Sequence, residues 1–363
     1  MRIKKWKSKG KKGQLIIFLS VFMIFSLGFH EFIGTSAPNE SETDYSQDLA
    51  SSFPPKNSGS WSFTSLHVDD LNGYGNGSWT DLEGEDWLKG TGSFSDPYRL
   101  ENITFDVKGQ GSGLIINNSK NHYFLIKNCT ILNSAPQDDE AGIKLVDSDN
   151  GTLLDNTCED CENGFYFDWC FNLTIRRNEA RYNGLSDLGT QQDGFFFFYC
   201  HDSTISENLA EHNGKVNHGN GFYLEECSNN ILERNNASHN KRDGIFLYYD
   251  SNGNNLTENT LRNNIRHGLE VNDTSYNNIV KENLITDNGG SGILVDFSTG
   301  CNFTQNRISH NFIGLNLSSN VQDSHFRQNL ISNNQLTELR FDDSIQNNNF
   351  SMNVIYDEIH SGN

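Results

Sequence analysis

The chain has 363 residues, with 27 Lys and Arg against 47 Asp and Glu, which gives a formal net charge of −20. Seven of the basic residues lie in the first twelve positions. The rest of the chain is therefore more acidic still, and such a surface repels a phosphate backbone, which argues against nucleic-acid binding. The chain contains only 5 Pro, together with 32 Gly, 25 Phe and many Asn. Gly and Asn are poor helix formers. The composition predicts an ordered, turn-rich β protein.

The N-terminus has the layout of a targeting segment. A cationic stretch is followed by residues 15–29, which carry no charge, and by a small-residue site at 35–37, as in a secretory signal. The apolar stretch is short for a membrane-spanning helix, but Pro38 directly after the small residues hinders cleavage, so a cleaved signal and a retained anchor are both open. Residues 1–37 are predicted to export the chain, and residues 38–60, rich in Ser, Asn and Asp, to form a flexible linker.

Two phrases recur in the rest of the chain at a spacing of about 23 residues. In the first, Gly precedes two apolar residues that alternate with variable ones, and this phrase recurs from Gly113 to Gly314. The second phrase carries an Asn, and the predicted Asn column consists of Asn128, Asn156, Asn178, Asn208, Asn235, Asn259, Asn283, Asn306, Asn329 and Asn353. A second Asn usually follows five residues later, as at Asn183, Asn213, Asn240, Asn264, Asn288, Asn311 and Asn334.

This period, with short β phrases in each repeat, is typical of a solenoid of stacked coils. Alternating apolar pairs such as Phe165 and Phe167 are expected inside, and identical Asn at identical corners can hydrogen-bond along the stack. We therefore predict an all-β fold, a right-handed parallel β-helix of about ten coils over residues 101–356. Residues 61–100 are predicted to form an N-terminal cap. Its expected apolar face consists of Trp87, Tyr98 and Leu100.

The stretch from Gly92 to Asn102, Gly-Ser-Phe-Ser-Asp-Pro-Tyr-Arg-Leu-Glu-Asn, and the Asn-rich coils resemble exported right-handed β-helix proteins. Those include the periplasmic copper-binding NosD-like family and related carbohydrate-binding and sugar-hydrolysis β-helix domains. The resemblance covers about residues 90–355 and implies a pectate-lyase-like fold. Because this scaffold hosts many functions, the activity has to be argued from the site.

One strand of each coil is expected to present aromatic and acidic side chains outward, at the second, fourth and fifth positions after the repeat Gly. Exposed rings beside carboxylates suit sugars, which offer CH faces and hydroxyls. The predicted carbohydrate-binding residues are Tyr166, Trp169, Phe196, Tyr199, Tyr223, Glu226, Tyr248 and Tyr249. Insertions at 134–141, 184–193 and 214–220 lengthen the loops that enter this strand. The alternative is that these loops or a partner cover the rings as satellite core.

Candidate catalytic acids fall into two pairs, each two coils or about 10 Å apart, near the upper end of the carboxylate separation in inverting glycosidases. The pairs are Asp168 with Glu225, and Asp193 with Asp243. A lyase or epimerase needs a base and a charge neutraliser, and the candidates along the same rim are His218, His267, Lys215 and Arg242. The alternative is a solvated acidic rim, so whether the protein is a lyase, an epimerase, a glycoside hydrolase or no enzyme is left open.

His212 and His239 occupy equivalent corners of adjacent coils and could share a soft metal, but stacking without function is preferred and no metal site is predicted. Cys170, Cys200 and Cys227 take the Ser position of three consecutive coils. We expect a thiol ladder filling an inner turn, with oxidation of one pair permitted after export. No cofactor is predicted, and Ca²⁺ is the one ion left open.

Together these features favour an exported monomer, at an extracellular, periplasmic or cell-surface location. The favoured partner is a polysaccharide or cell-surface glycan, which the protein binds and, in a stronger hypothesis, also processes. Membrane contact is expected only through the N-terminal segment. The alternatives are a non-enzymatic scaffold or adhesin rod, and a metal (copper) accessory protein.

Overall fold

The computed structural model describes residues 61–71, 74–186, 191–215 and 218–356, which form β-strands and turns without a helix. The strands fall into three sheets. Sheet I contains β3 (Leu88–Lys89), β4 (Tyr98–Glu101), β7 (Phe124–Lys127), β10 (Gly151–Leu154), β13 (Thr174–Arg176), β16 (Thr204–Ser206), β19 (Ile231–Glu233), β22 (Asn255–Thr257), β25 (Ile279–Lys281), β28 (Asn302–Thr304), β31 (His325–Arg327) and β34 (Asn349–Ser351).

Sheet II contains β1 (Trp61–Phe63), β5 (Ile103–Asp106), β8 (Thr130–Leu132), β11 (Thr157–Glu159), β14 (Glu179–Arg181), β17 (Leu209–Glu211), β20 (Asn236–Ser238), β23 (Thr260–Arg262), β26 (Leu284–Thr286), β29 (Arg307–Ser309), β32 (Leu330–Ser332) and β35 (Val354–Tyr356). Sheet III contains β2 (Leu66–Asp69), β6 (Leu114–Asn117), β9 (Ala141–Val146), β12 (Asn163–Asp168), β15 (Phe195–Phe198), β18 (Phe222–Glu225), β21 (Ile245–Tyr248), β24 (Leu269–Val271), β27 (Ser291–Val295), β30 (Ile313–Leu317) and β33 (Thr337–Phe341).

The chain runs from sheet I to sheet II to sheet III and then returns to sheet I one coil further on. Each strand pairs in parallel with its equivalent in the next coil, and the one antiparallel pair among the described strands joins β3 to β4. The predicted all-β, right-handed parallel β-helix is confirmed. Among the described residues, sheet III has 11 strands, against the ten or so coils predicted.

The core fills the inside of the coils with apolar side chains that alternate along each strand. The predicted inner pairs are buried, and their rings stack from coil to coil: Phe165 lies 4.6 Å from Phe195, and Phe167 lies 4.7 Å from Phe197, between ring centroids. Burial of each such ring contributes about 1.5–3 kcal/mol. The inner pairing that the sequence predicts is confirmed.

The predicted Asn ladder runs through the coils as a chain of side-chain amides. Asn208 Nδ2 donates to Asn235 Oδ1 at 3.0 Å and to the Ile175 carbonyl at 2.8 Å, so the buried amide donates both of its hydrogens. One member was wrong: Asn128 lies on the surface, and the backbone amide of Cys129 takes its place in the ladder by donating to Asn156 Oδ1. The second ladder, from Asn183 to Asn334, is confirmed by the same pattern of contacts. A third short ladder, not predicted, consists of Asn230, Asn254 and Asn278.

At the N-terminal end, β1 extends sheet II and β2 extends sheet III, so residues 61–69 continue the stack. Trp79, which the sequence argument missed, is fully buried, stacks on Tyr98 at 5.1 Å and donates from its indole N–H to Ser119 Oγ. Trp87 packs against Phe63 at 5.5 Å. The capping role of residues 61–100 stays a prediction.

The predicted leader, residues 1–37, and the predicted linker, residues 38–60, lie outside the described residues. Within the part of the chain that the structure describes, no helix has the length and apolarity to cross a membrane.

Candidate functional site

The outward positions of sheet III carry four rings in four consecutive coils, the aromatic column. Its members are Tyr166, Phe196, Tyr223 and Phe246. Consecutive ring centroids lie 5.1, 5.2 and 5.1 Å apart. The Lys144 ammonium lies 5.1 Å from the Tyr166 ring, and the Arg242 guanidinium lies 4.7 Å from the Phe246 ring. A cation therefore faces each end of the column, a contact that stabilises aromatic surfaces.

Burial divides this column into rings that can meet a ligand and rings that cannot. Phe196 is 1% exposed and Phe246 is 3% exposed, whereas Tyr166 and Tyr223 are half-buried. The expectation that Phe196 offers a binding surface is therefore wrong, because Tyr166 and Tyr223 pack on either side of it. Phe196 therefore fits the alternative stated above, in which the outward rings are covered and form a satellite core.

A second outward column lies at the fifth position after the repeat Gly. Trp169 stacks on Tyr199 of the next coil with 3.9 Å between ring centroids and an interplanar angle of 27°. Trp169 is 46% exposed, and Tyr249 is 44% exposed. Glu226 and Tyr248, the two remaining predicted sugar contacts, are half-buried beside them. Among the predicted rings, Trp169 and Tyr249 are thus the exposed ones, and Tyr199 is half-buried against Trp169.

Asp168 and Glu225 lie in register on this face, with Phe198 on the coil between them. Glu225 Oε2 accepts a hydrogen bond of 2.8 Å from the Tyr223 hydroxyl. Burial raises the pKa of Asp168 while Lys144 opposes the rise, and no described residue donates a hydrogen bond to its buried Oδ1. Two sheet spacings, about 10 Å, separate the two carboxylates.

The residues that directly precede four consecutive repeat glycines form a polar column. Its members are Asp193, Asn220, Asp243 and His267. Each side chain accepts a hydrogen bond from a backbone N–H of the next coil. Asn220 N donates to Asp193 Oδ1 at 2.6 Å, and His267 N donates to Asp243 Oδ1 at 2.8 Å. The Ser291 amide donates to His267 Nδ1 at 2.8 Å, which leaves the imidazole proton on Nε2. The column therefore takes part in the coil-to-coil hydrogen bonding.

Both aspartates of this column are buried, so the alternative of a solvated acidic rim is wrong for them. Burial raises the pKa of Asp193 to about 7, and no described residue donates to its Oδ2. Burial also raises the pKa of Asp243, against the opposing effect of Arg266 and Arg242. Burial lowers the pKa of His267 to about 4, so this imidazole is neutral at neutral pH. Because Asp193 and Asp243 are enclosed, a sugar bound on the surface would not touch their carboxylates.

Glu270 and Arg266 complete the charged cluster, and the sequence argument missed their part in it. Arg266 lies 3.5 Å from Asp243 Oδ2 and 3.3 Å from Glu270 Oε2, and so bridges the two acids. Glu270 is buried, and burial together with Asp243 raises its pKa. The sequence position of Glu270 could have indicated this role. Glu270 follows Phe246 in the outward column of sheet III, where the preceding residues are aromatic and a carboxylate breaks the pattern.

Loops on this edge are tied down by buried polar side chains. Glu162 Oε2 accepts hydrogen bonds from the amides of Leu185 and Ser186, at 2.8 and 2.9 Å. Gln192 Oε1 accepts the Lys215 amide at 2.8 Å. His218 lies half-buried further along that loop, outside the polar column. The described residues of the insertions at 184–193 and 214–220 therefore contact each other through Gln192 and Lys215.

Two groups of side chains among the described residues could hold a metal ion. In the first, Asp243, His267 and Glu270 place ligand atoms within 4.8 Å of one another, but Arg266 already supplies positive charge between the two acids. That arrangement does not favour Ca²⁺, which takes six to eight oxygen ligands. The second group, Glu211, His212 and His239, lies at the turn after sheet II.

The seven cysteines are all buried free thiols, including Cys170, Cys200 and Cys227. Cys200 N donates to Cys227 Sγ, and burial raises the pKa of the Cys200 thiol well above its usual value. The predicted thiol ladder that fills an inner turn agrees with this geometry.

The fold thus defines a right-handed parallel β-helix protein. Residues 112–285 match the family described as the right-handed beta helix region. Residues 249–363 match the family described as periplasmic copper-binding protein (NosD). No curated protein matches the chain.

Solved structures share this fold. A double mutant of the periplasmic alginate epimerase AlgG has 16% identity and a TM-score of 0.56, over 70% of this chain and 70% of that one. The same epimerase without substitution has 16% identity and a TM-score of 0.51, over 83% of this chain and 87% of that one. At such identity the likeness establishes the fold, and the function has to be argued from the site.

Proposed function

We propose that this is an exported protein that binds a polysaccharide along sheet III. The observation that carries the proposal is the exposed Trp169 ring, which stacks 3.9 Å from the half-buried Tyr199 ring and lies beside half-buried carboxylates. An exposed ring beside carboxylates suits a sugar, because the ring stacks on CH groups while the carboxylates accept hydrogen bonds from hydroxyls.

A sugar chain would use the two kinds of group in different ways. The CH face of a sugar ring would stack on Trp169, and its hydroxyls would donate to Asp168 and Glu226. Because equivalent positions recur about every 4.8 Å along the rod, successive sugars would meet similar groups. An extended polysaccharide fits this arrangement better than a small ligand does.

The comparisons support the same class of partner and an exported location. AlgG, whose fold this chain shares, is described as a periplasmic alginate epimerase, and NosD is described as periplasmic. The cationic and then uncharged N-terminal segment of this sequence agrees with export. A scaffold or adhesin rod, in contrast, would not require the exposed Trp169 ring.

Processing of the bound glycan is a second candidate function, and Asp168 favours it. Its raised pKa and the absence of a described donor to Oδ1 suit an acid that exchanges a proton with substrate. Glu225, in register two coils away, would be the second carboxylate. This separation lies nearer to that of inverting than of retaining glycosidases.

Binding is tested with the full chain against a panel of soluble neutral and acidic polysaccharides. A glycan that stacks on Trp169 should change the tryptophan fluorescence on titration, and Trp169→Phe should lose that signal. Failure of every panel member to bind the parent protein would contradict the proposal.

Catalysis is tested separately on a glycan that binds. New reducing ends, unsaturated sugars or altered stereochemistry should form with the parent and disappear in Asp168→Asn combined with Glu225→Gln, while binding persists. Binding without any turnover by the parent would leave a binding protein and remove the enzymatic hypothesis.

A further inference from the structure

Three aromatic side chains line up at the turn that follows sheet II, outside the face described above. Tyr182, His212 and His239 each follow the last residue of β14, β17 and β20, and each has positive φ, at 54°, 57° and 57°. The rings of Tyr182 and His212 lie 5.2 Å apart, and those of His212 and His239 lie 4.8 Å apart with an interplanar angle of 20°. Two imidazoles therefore stand side by side on adjacent coils at the surface.

Glu211 brings a carboxylate to this pair. Its Oε1 lies 3.8 Å from His239 Nδ1, and its Oε2 lies 3.7 Å from Arg181 Nη1 on the preceding coil. In the next coil the position in register with Glu211 is Ser238, whose small side chain leaves the carboxylate room beside the imidazole. The repeat spacing pairs the two histidines, whereas Glu211 reaches His239 only through the stacking of coils.

We propose that Glu211, His212 and His239 bind one divalent first-row transition metal ion of the class that prefers imidazole, such as Zn²⁺, Ni²⁺ or Cu²⁺. Their ligand atoms all lie within 4.8 Å of one another. Metal–ligand bonds of about 2.0–2.2 Å require the atoms to close by about 1 Å, which surface side chains can do. Two imidazoles and one carboxylate leave open positions for water, and one carboxylate is too few for Ca²⁺ or Mg²⁺.

This site is independent of the proposed polysaccharide face, because it belongs to the turn after sheet II and shares no residue with sheet III. It also lies before residue 249, where the match to the NosD family begins. Three ligands on two adjacent coils make up the site.

The chain supplies a matched control. His310 follows β29 at the same corner, with a φ of 58°, and its column neighbours are Asp287 and Asn333 rather than a second histidine. Asn is the replacement of choice, because Asn263 already adopts positive φ in this column. His212→Asn, His239→Asn and His310→Asn should therefore all keep the fold, which thermal melting would check.

The test is a calorimetric titration of the full-length chain with ZnCl₂ or NiCl₂ alone. The parent should bind one ion per chain, and His212→Asn or His239→Asn should each weaken binding by at least about 10–100-fold. Glu211→Gln should weaken it as well, His310→Asn should not, and excess Ca²⁺ should not compete. Bound Cu²⁺ should give an electron paramagnetic resonance spectrum of two nitrogen ligands in the parent and of one in either single variant.

Three outcomes would overturn the proposal. These are the absence of a saturable site in the parent, unchanged affinity in the combined His212→Asn and His239→Asn variant, and an equal loss in His310→Asn. None of them bears on polysaccharide binding, so the two proposals fail separately.

Discussion

The coils that carry β12 to β24 and the coils that carry β27 to β33 share one scaffold but differ in what sheet III displays. Both regions contain the Asn ladder, and stacked inner rings occur in both, as at Phe195 with Phe222 and at Phe303 with Phe326. The outward column, however, changes from aromatic residues to Leu294, Asn316 and Arg340. The scaffold therefore does not require the outward rings. We call the coils that carry β12 to β24 the enriched coils.

The same comparison applies to the buried charges. The position before the repeat Gly holds Asp193, Asp243 and His267 in the enriched coils but Ser291 and Ile313 in the C-terminal ones. Because Ser and Ile occupy the equivalent positions in the C-terminal coils, a coil can form without a charged residue before its Gly. A buried carboxylate destabilises a fold when it ionises, so its presence in the enriched coils sets them apart.

The largest effect is expected from the shared scaffold. Phe197→Ala in the enriched coils and Phe303→Ala in the C-terminal coils should each cost about 3–5 kcal/mol of unfolding free energy, because both rings are buried and stacked. Denaturant unfolding of the two variants would measure this. A markedly smaller cost for Phe197→Ala would mean that the enriched coils are held together by their outer face.

Asp193→Asn should change the pH dependence of stability. The pKa of Asp193 is raised from 3.8 to about 7, so the folded state keeps a proton that the unfolded state has lost. Stability is therefore fullest below about pH 4 and falls as the pH rises to about 7, by at most about 4 kcal/mol. The variant should be more stable than the parent at pH 8 and equal to it at pH 3.

Ser291→Ala, in the same column of a C-terminal coil, is the control for this pH effect. Thermal melts of the parent and both variants across pH 3–8 would be compared. Equal pH dependence in the parent and in Asp193→Asn would contradict the account of a buried, protonated carboxyl.

Breaking the Asn ladder should have a smaller effect, and one that is equal in the two regions. Asn208→Ala and Asn306→Ala each remove an amide whose two hydrogens and carbonyl oxygen are all bonded. Each should cost about 1–3 kcal/mol. A neutral result at both positions in chemical denaturation would mean that these amides add nothing to stability.

The fold was predictable because its signals are periodic: the spacing of Gly113 to Gly314 and of the two Asn columns specifies coils, and the alternation specifies the interior. The error at Asn128 arose because irregular spacing at the first coils left the register ambiguous by one residue.

The site was only partly predictable, since side-chain burial depends on neighbours in space. Phe196 stands at an outward position yet is enclosed by the rings on either side, and no sequence period encodes that. Arg266 and Glu270 meet Asp243 only through the stacking of coils, and Glu211 meets His239 in the same way. Columns of equivalent positions predicted which residues align but not which of them touch.

The most direct test of the central claim compares two exposed rings at equivalent positions. Trp169 in the enriched coils and Phe297 in a C-terminal coil are each 46% exposed at the fifth position after the repeat Gly. Trp169→Ala and Phe297→Ala should both leave the melting temperature within a few degrees of the parent, because neither ring fills the core. In glycan binding measured by calorimetry, Trp169→Ala should abolish affinity and Phe297→Ala should keep it. Full binding by Trp169→Ala, or equal losses in both variants, would contradict a polysaccharide site on the enriched face of sheet III.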